Sequence, residues 1–208
     1  MQRNKIVETV VLVLAVVCLS ACHNYNKNEI IEPFKEYEEY VLAEMNGDIA
    51  ITGVAYEENE FVTFTIVLLN EDNEHRFETI ARYLECSDAF LDKNPNCVLN
   101  DQYRIVYNFS TAYNSNGSPG DDICSFSNVT DASNVNDHVC SVRFDYYDES
   151  AFQYFDFITE ANCCYWSDAE IDSIISEYSN LETIYVESEE RVNDISINYP
   201  EVSFVSVR

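Results

Sequence analysis

An unbroken apolar run at residues 10–19, standing behind Arg3 and Lys5, decides how much of this chain is left to fold. A basic start, about ten apolar residues and small residues after them describe a secretory signal. The run is too short for a membrane span, which needs about 20 apolar residues to cross roughly 30 Å of hydrocarbon. Glu8 is the one irregularity, an anion between the cations and the apolar core.

The run ends Leu19-Ser20-Ala21-Cys22. These four residues resemble the lipobox of bacterial lipoproteins. The resemblance covers about a tenth of the chain and implies that Cys22 is alkylated with diacylglycerol and becomes the first mature residue. Its thiol is the nucleophile, Ser20 and Ala21 leave the backbone open to the peptidase, and Leu19 fills an apolar subsite. Cys18 is a poorer choice, because Val16 and Val17 crowd the cut. Lipid on Cys22 attaches the protein to the cell membrane on its extracytoplasmic face, stably where two or more acyl chains are buried at about 0.8 kcal/mol per methylene. The expected organisation is a signal peptide at 1–21, the lipidated cysteine with a polar spacer at 22–28, and a single domain at 29–208. Six extended spacer residues reach at most about 20 Å, so that domain sits close to the membrane.

Removing Arg3, Lys5 and Glu8 leaves 9 cations against 37 anions, a net charge of −28. Such a field has the wrong sign for nucleic acid or anionic lipid headgroups, so nucleic acid is excluded as a partner. Twelve Phe and fifteen Tyr supply too much apolar area for a disordered acidic tail. The acidic clusters at 57–60, 71–74, 121–122 and 187–190 lack the Asp-x-Asp-x-Asp-Gly spacing that wraps ligands around calcium. They read as solvated turns, with weak, diffuse divalent cation binding expected and no dedicated metal site.

Six cysteines follow the signal: Cys86, Cys97, Cys124, Cys140, Cys163 and Cys164. An even count in an exported chain suggests disulfides. Cys124 and Cys140 flank a polar turn almost symmetrically and are candidates for a cross-strand bridge; Cys86 and Cys97 are candidates to close a short loop over Pro95. The alternative, all six reduced, stays open. There is no Cys-x-x-Cys, so zinc and thioredoxin-type readings are weak.

Along the chain, Ile30, Ile31, Phe34, Tyr37, Val41 and Met45 recur at helical spacing. Residues 49–56 and 61–68 flank an acidic turn as a hairpin. Phe77, Ile80, Ala81 and Leu84 return to helical spacing, closed by Pro95. A strand follows through Tyr103, Ile105, Tyr107 and Phe109, then a turn tract at 114–120 and strands near 122–129 and 138–147 as an antiparallel meander. Residues 151–158 fit either period. In the last forty residues a shift of 21 aligns Ile171 with Val192, Ile174 with Ile195, Tyr178 with Tyr199, Leu181 with Val202, Ile184 with Val205 and Val186 with Val207. Each copy reads as helix then strand, either a β-α-β ending or a two-step coil like that of leucine-rich repeats. The expected fold is α+β, one mixed, largely antiparallel sheet with helices packed on it.

Motifs for chemistry are scarce. Four glycines cannot build a phosphate loop, and no nucleophile-elbow, zincin or Ser-x-x-Lys pattern occurs, so no cofactor and no catalytic residue is assigned. Tyr146, Tyr147, Tyr154 and Tyr165 crowd one region with Trp166, either as an exposed platform for sugar or protein or, favoured, as core packing. The expected function is therefore a non-enzymatic binding or scaffolding role toward an unidentified protein or glycan. The alternative is a small extracellular hydrolase using a carboxylate pair or the His138–Cys140 pair.

Overall fold

The computed structural model describes residues 32–69, 75–112, 120–131, 133 and 136–207. The signal run, Cys22, the spacer, Ile30 and Ile31, the acidic tract 71–74 and the turn residues 114–119 lie outside them. The chain divides at Pro33 into two units, and everything below concerns the second, which begins at Phe34.

Eight strands form one sheet in sequence order. They are β1 (Ile49–Glu57), β2 (Phe61–Leu68), β3 (Arg104–Thr111), β4 (Asp122–Ser127), β5 (Ser141–Phe144), β6 (Glu160–Asn162), β7 (Thr183–Val186) and β8 (Ser203–Ser206). Among the described residues four α-helices accompany them: α1 (Lys35–Glu44), α2 (Arg76–Lys93), α3 (Asp168–Glu177) and α4 (Glu189–Ile195). The α+β class and the mixed sheet are as expected, but "largely antiparallel" is corrected. β1–β2, β3–β4 and β4–β5 are antiparallel, while β2–β3, β5–β6, β6–β7 and β7–β8 are parallel. A parallel neighbour requires a crossover. α2 supplies it between β2 and β3, a 3-10 turn (Glu149–Tyr154) between β5 and β6, and α3 and α4 supply the last two. The ambiguous stretch 151–158 is thus the end of that turn and the linker into β6.

The strand registers explain the core. One row runs across the whole sheet as Val54, Phe64, Tyr107, Phe126, Val142, Ala161, Ile184 and Phe204, each directly opposite the next. All but Val54 are buried. The neighbouring row on the other face is Thr65, Asn108, Ser125, Arg143 and Asn162, small or polar and partly or fully exposed. Successive residues point to opposite faces, so the period-2 pattern gathers most of the rings on one side, while Phe61 and the buried Tyr185, opposite Asn162, lie on the other.

α1 and α2 cover that apolar side. Tyr37 of α1 packs on Phe64 at 5.0 Å, and Tyr83 of α2 packs edge-on against Tyr107 and Phe109 at 5.5 and 5.3 Å. Their hydroxyls do not go unpaired: Tyr37 meets Tyr83 at 2.9 Å and donates to Ser87 at 3.1 Å, and Ser87 meets Tyr107 at 2.7 Å. Burial pushes all three phenols far above their ordinary pKa, so they stay neutral hydrogen-bonding groups. α1 closes through Asn46 and Gly47, both at positive φ, the left-handed end that glycine takes without cost.

The C-terminal part is a coil of three steps. Phe155, Tyr178 and Tyr199 each accept a backbone hydrogen bond from Ile158, Leu181 and Val202 three residues on, at 3.4, 3.1 and 3.2 Å. Each step then enters β6, β7 or β8. The helices keep the 21-residue period: the N-cap hydroxyls are Ser167 and Ser188, and Ile174 and Ile195 are both buried. The strands do not, since Ile184 lies opposite Phe204 and Val186 opposite Ser206. The alignments of Ile184 with Val205 and Val186 with Val207 are corrected by one residue.

Candidate functional site

β5, β6, β7 and β8 run parallel, so their carboxyl ends share one edge of the sheet. In open α/β sheets the crevice beyond such ends is where ligands bind. Here it holds a cleft of about 510 Å³, bordered by Arg143, Asp145, Tyr146, Asn162, Tyr165 and Trp166, with Glu170 at the start of α3. That volume lies within the range of small-ligand sites.

The loop from β6 into α3 forms one wall, and each of its backbone N–H groups has a partner. Cys163 donates to the Tyr185 carbonyl at 2.9 Å and Trp166 to the Cys163 carbonyl at 3.1 Å. Cys164 donates to Asn162 Oδ1 at 3.2 Å, Tyr165 to Glu187 Oε2 at 3.2 Å, and Ser167 to Glu170 Oε2 at 2.7 Å. Arg191 of α4 braces the loop from behind, donating to the Trp166 carbonyl at 3.2 Å and pairing with Asp168. Within this frame Tyr165 sits at φ +72° with its side chain 76 % exposed. A non-glycine residue in the left-handed region costs roughly 1–2 kcal/mol, and such strain concentrates at functional positions.

The aromatic cluster divides between the two sequence readings. Trp166 is only 9 % exposed, stacked on Phe144 at 6.1 Å and edge-on to Tyr147 at 5.4 Å, as core packing predicts. Tyr165 and Tyr146 face outward, as a platform would. Tyr154 is half-buried against Phe155, away from the cleft. Arg76 of α2 fixes Tyr146, with its guanidinium 5.7 Å from the ring and a 3.5 Å hydrogen bond to the hydroxyl, while its other arm pairs with Asp148.

The polar groups of the cleft differ in charge state. Hydrogen bonds from the Ser167 N–H and hydroxyl hold the Glu170 carboxyl below the ordinary range, the reciprocal cap of α3. Burial raises Asp145, against the nearby Arg143 guanidinium at 3.7 Å. Among the described residues no group of three or more His, Cys, Asp or Glu could hold a metal ion, and no helix is long and apolar enough to cross a membrane.

A second concavity of about 480 Å³ lies between α2 and the loop after β4, lined by Asp88, Asp92, Gln102, Asn128, Asp137 and His138. His138 therefore faces this concavity. Cys140 is buried, donates its thiol to the Asn128 carbonyl at 3.3 Å, and has its pKa raised by that burial. A buried, protonated thiol used as a donor is not an activated nucleophile.

Cys86, Cys97, Cys124, Cys140 and Cys163 are free thiols. The Cys124–Cys140 bridge is corrected by register: Cys124 lies opposite Phe144, and Ser127 opposite Ser141, which places Cys140 beyond the far end of the paired segment. At about 3.3 Å per residue that offset exceeds the reach of a disulfide. Cys86 on α2 and Cys97 after it are likewise unbridged, each half-buried with its pKa raised by burial. The acidic cluster 57–60 forms the β1–β2 turn with Asn59 at positive φ, Asp122 opens β4, and residues 187–190 enter α4. None of these clusters lines the first cleft.

No family model matches the chain, and neither a curated protein nor a solved structure matches it.

Proposed function

We propose that this chain is an extracytoplasmic lipoprotein, held to the cell membrane by lipid on Cys22, whose domain binds a protein or glycan partner without catalysing a reaction. The observation that carries the binding reading is the loop 163–167. Every N–H is tied down, and the strain at Tyr165 presents an aromatic ring at the mouth of a cleft instead of burying it. Preorganised aromatic surface of this kind contributes most of the affinity in binding sites. The anchoring reading rests on Leu19-Ser20-Ala21-Cys22. A hydrolase is the second reading, and one observation favours it: two carboxyls of the same cleft, Asp145 and Glu170, are pushed in opposite directions. Against it, Glu170 Oε2 is already engaged in capping α3.

Membrane fractionation tests the anchor. Wild type is expected to leave the membrane only with detergent and to incorporate labelled palmitate; Cys22→Ala is expected to lose the label and to stay uncleaved. Label retained in Cys22→Ala, or wild type released by salt alone, overturns the lipoprotein reading.

A further inference from the structure

Resting on that binding reading, we infer that the cleft takes neutral carbohydrate, with a sugar face lying against Tyr165 and Tyr146 and its hydroxyls bonding to Arg143, Asp145 and Asn162. A sugar ring has an apolar C–H face and a rim of hydroxyls that each donate and accept. It therefore needs an aromatic surface beside a mixed set of acceptors and donors. The cleft supplies both: two outward tyrosines, a carboxylate, an amide and a guanidinium on its border. Arg143 and Asn162 lie directly opposite each other on the open face of the sheet. They continue the row Thr65, Asn108 and Ser125, so hydroxyl and amide groups extend from the cleft along that face.

Charge narrows the class. Among the described residues Arg143 is the only cation on the border, against Asp145 and Glu170, in a chain of net charge −27. A uronate, sulfate or phosphate would be repelled both locally and at long range. Peptide recognition is disfavoured for a separate reason. An added strand needs unpaired main-chain groups, and a phosphopeptide needs an arginine cluster. The five N–H groups of the loop are all consumed internally, and among the described residues the cleft has a single arginine.

The chain's single tryptophan, Trp166, is in the cleft wall, so its emission responds to occupancy of this site. The full chain, in micelles of a detergent without a sugar headgroup, is titrated with cello-, malto-, xylo- and chito-oligosaccharides. A polygalacturonate and a proline-rich peptide serve as comparison probes. A saturable shift with at least one neutral oligosaccharide is expected. Tyr165→Ala is expected to weaken it about tenfold and Tyr165→Phe to leave it nearly unchanged, as loss or retention of one ring contact requires. Since the Tyr165 ring is exposed, thermal unfolding of Tyr165→Ala should match wild type and separate lost binding from lost fold. A response to the peptide or polygalacturonate alone overturns the carbohydrate class and leaves the binding reading standing. Silence toward every probe overturns the cleft as a binding site as well. New reducing ends during the titration keep the carbohydrate class but overturn the non-catalytic reading in favour of the hydrolase.

Discussion

Asp148 shows how much one carboxylate can organise. It caps the 3-10 turn that opens the first step of the coil, accepting from the Ser150 N–H at 3.1 Å and hydroxyl at 2.6 Å, and it pairs with Arg76 at the start of α2. Burial alone would raise its pKa, but the Ser150 hydroxyl and N–H, and then Arg76, outweigh it and hold it below the ordinary carboxylate range. A depressed acid contributes stability above its unfolded value, near 3.9, and loses it as pH falls through the lower folded value. Asp148→Asn is therefore expected to unfold about 1–2 kcal/mol more easily at neutral pH, the scale of a charged hydrogen bond at a partly exposed pair. The gap to wild type should close as the pH drops below about 4. Urea unfolding of both proteins across that range measures it, and a gap constant with pH would show that charge is not the cause. At this scale Trp166 was legible, because an aromatic among strand residues is usually core. Its neighbour Tyr165 was not, since no spacing rule announces a left-handed, outward-facing tyrosine.

The elements differ in legibility for reasons of register. β1 and β2 are apolar runs on either side of an acidic turn, so both strands and their pairing followed from pattern. The direction of β3 did not: its alternation fits either orientation, and only α2, returning the chain to the same end of the sheet, makes it parallel to β2. The Cys124–Cys140 error has the same root, because symmetry about a polar turn does not fix register when the loop between β4 and β5 contributes residues unequally. In the coil, the helices and the aromatic and aliphatic anchors repeat at 21 because Ser167 and Ser188 cap α3 and α4 at the same phase. One residue fewer separates Val202 from β8 than Leu181 from β7, in register terms, and the strands slip. The first step is not legible in the sequence, because its helix is a 3-10 turn and Phe155 precedes Tyr178 by more than one period. These caps make a test. Ser188→Ala removes the acceptor of the Arg191 N–H at 3.2 Å and should cost about 1 kcal/mol. α4 also carries Arg191, which holds the Trp166 carbonyl from behind, so the variant should also broaden the environment of Trp166. Unchanged urea midpoint and unchanged emission would show that α4 does not brace the loop.

Across the whole molecule, an aromatic network and a large negative charge act against each other. Rings touch continuously from Phe34 through Phe64, Tyr107, Tyr83, Phe109 and Phe126 to Phe155, Phe144 and Trp166, spanning the sheet from β2 to the cleft. Against that cohesion stand 38 acids and 11 cations, with Arg76, Arg82, Arg143 and Arg191 each engaging an aspartate. Most of the remaining carboxylates repel one another at the surface, which destabilises a compact state. Salt screens exposed charges beyond about 10 Å at 0.1 M while leaving buried ring contacts untouched. Raising NaCl from about 10 mM to about 150 mM should therefore raise the Tm, by roughly 2–4 °C for each kcal/mol of repulsion removed in a domain of this size. Calcium chloride at matched ionic strength should do somewhat more, without saturating, if divalent ions gather diffusely around the acidic turns. A saturable calcium transition would instead reveal a defined site, and a Tm that falls with salt would mean that the four arginine pairs outweigh the repulsion.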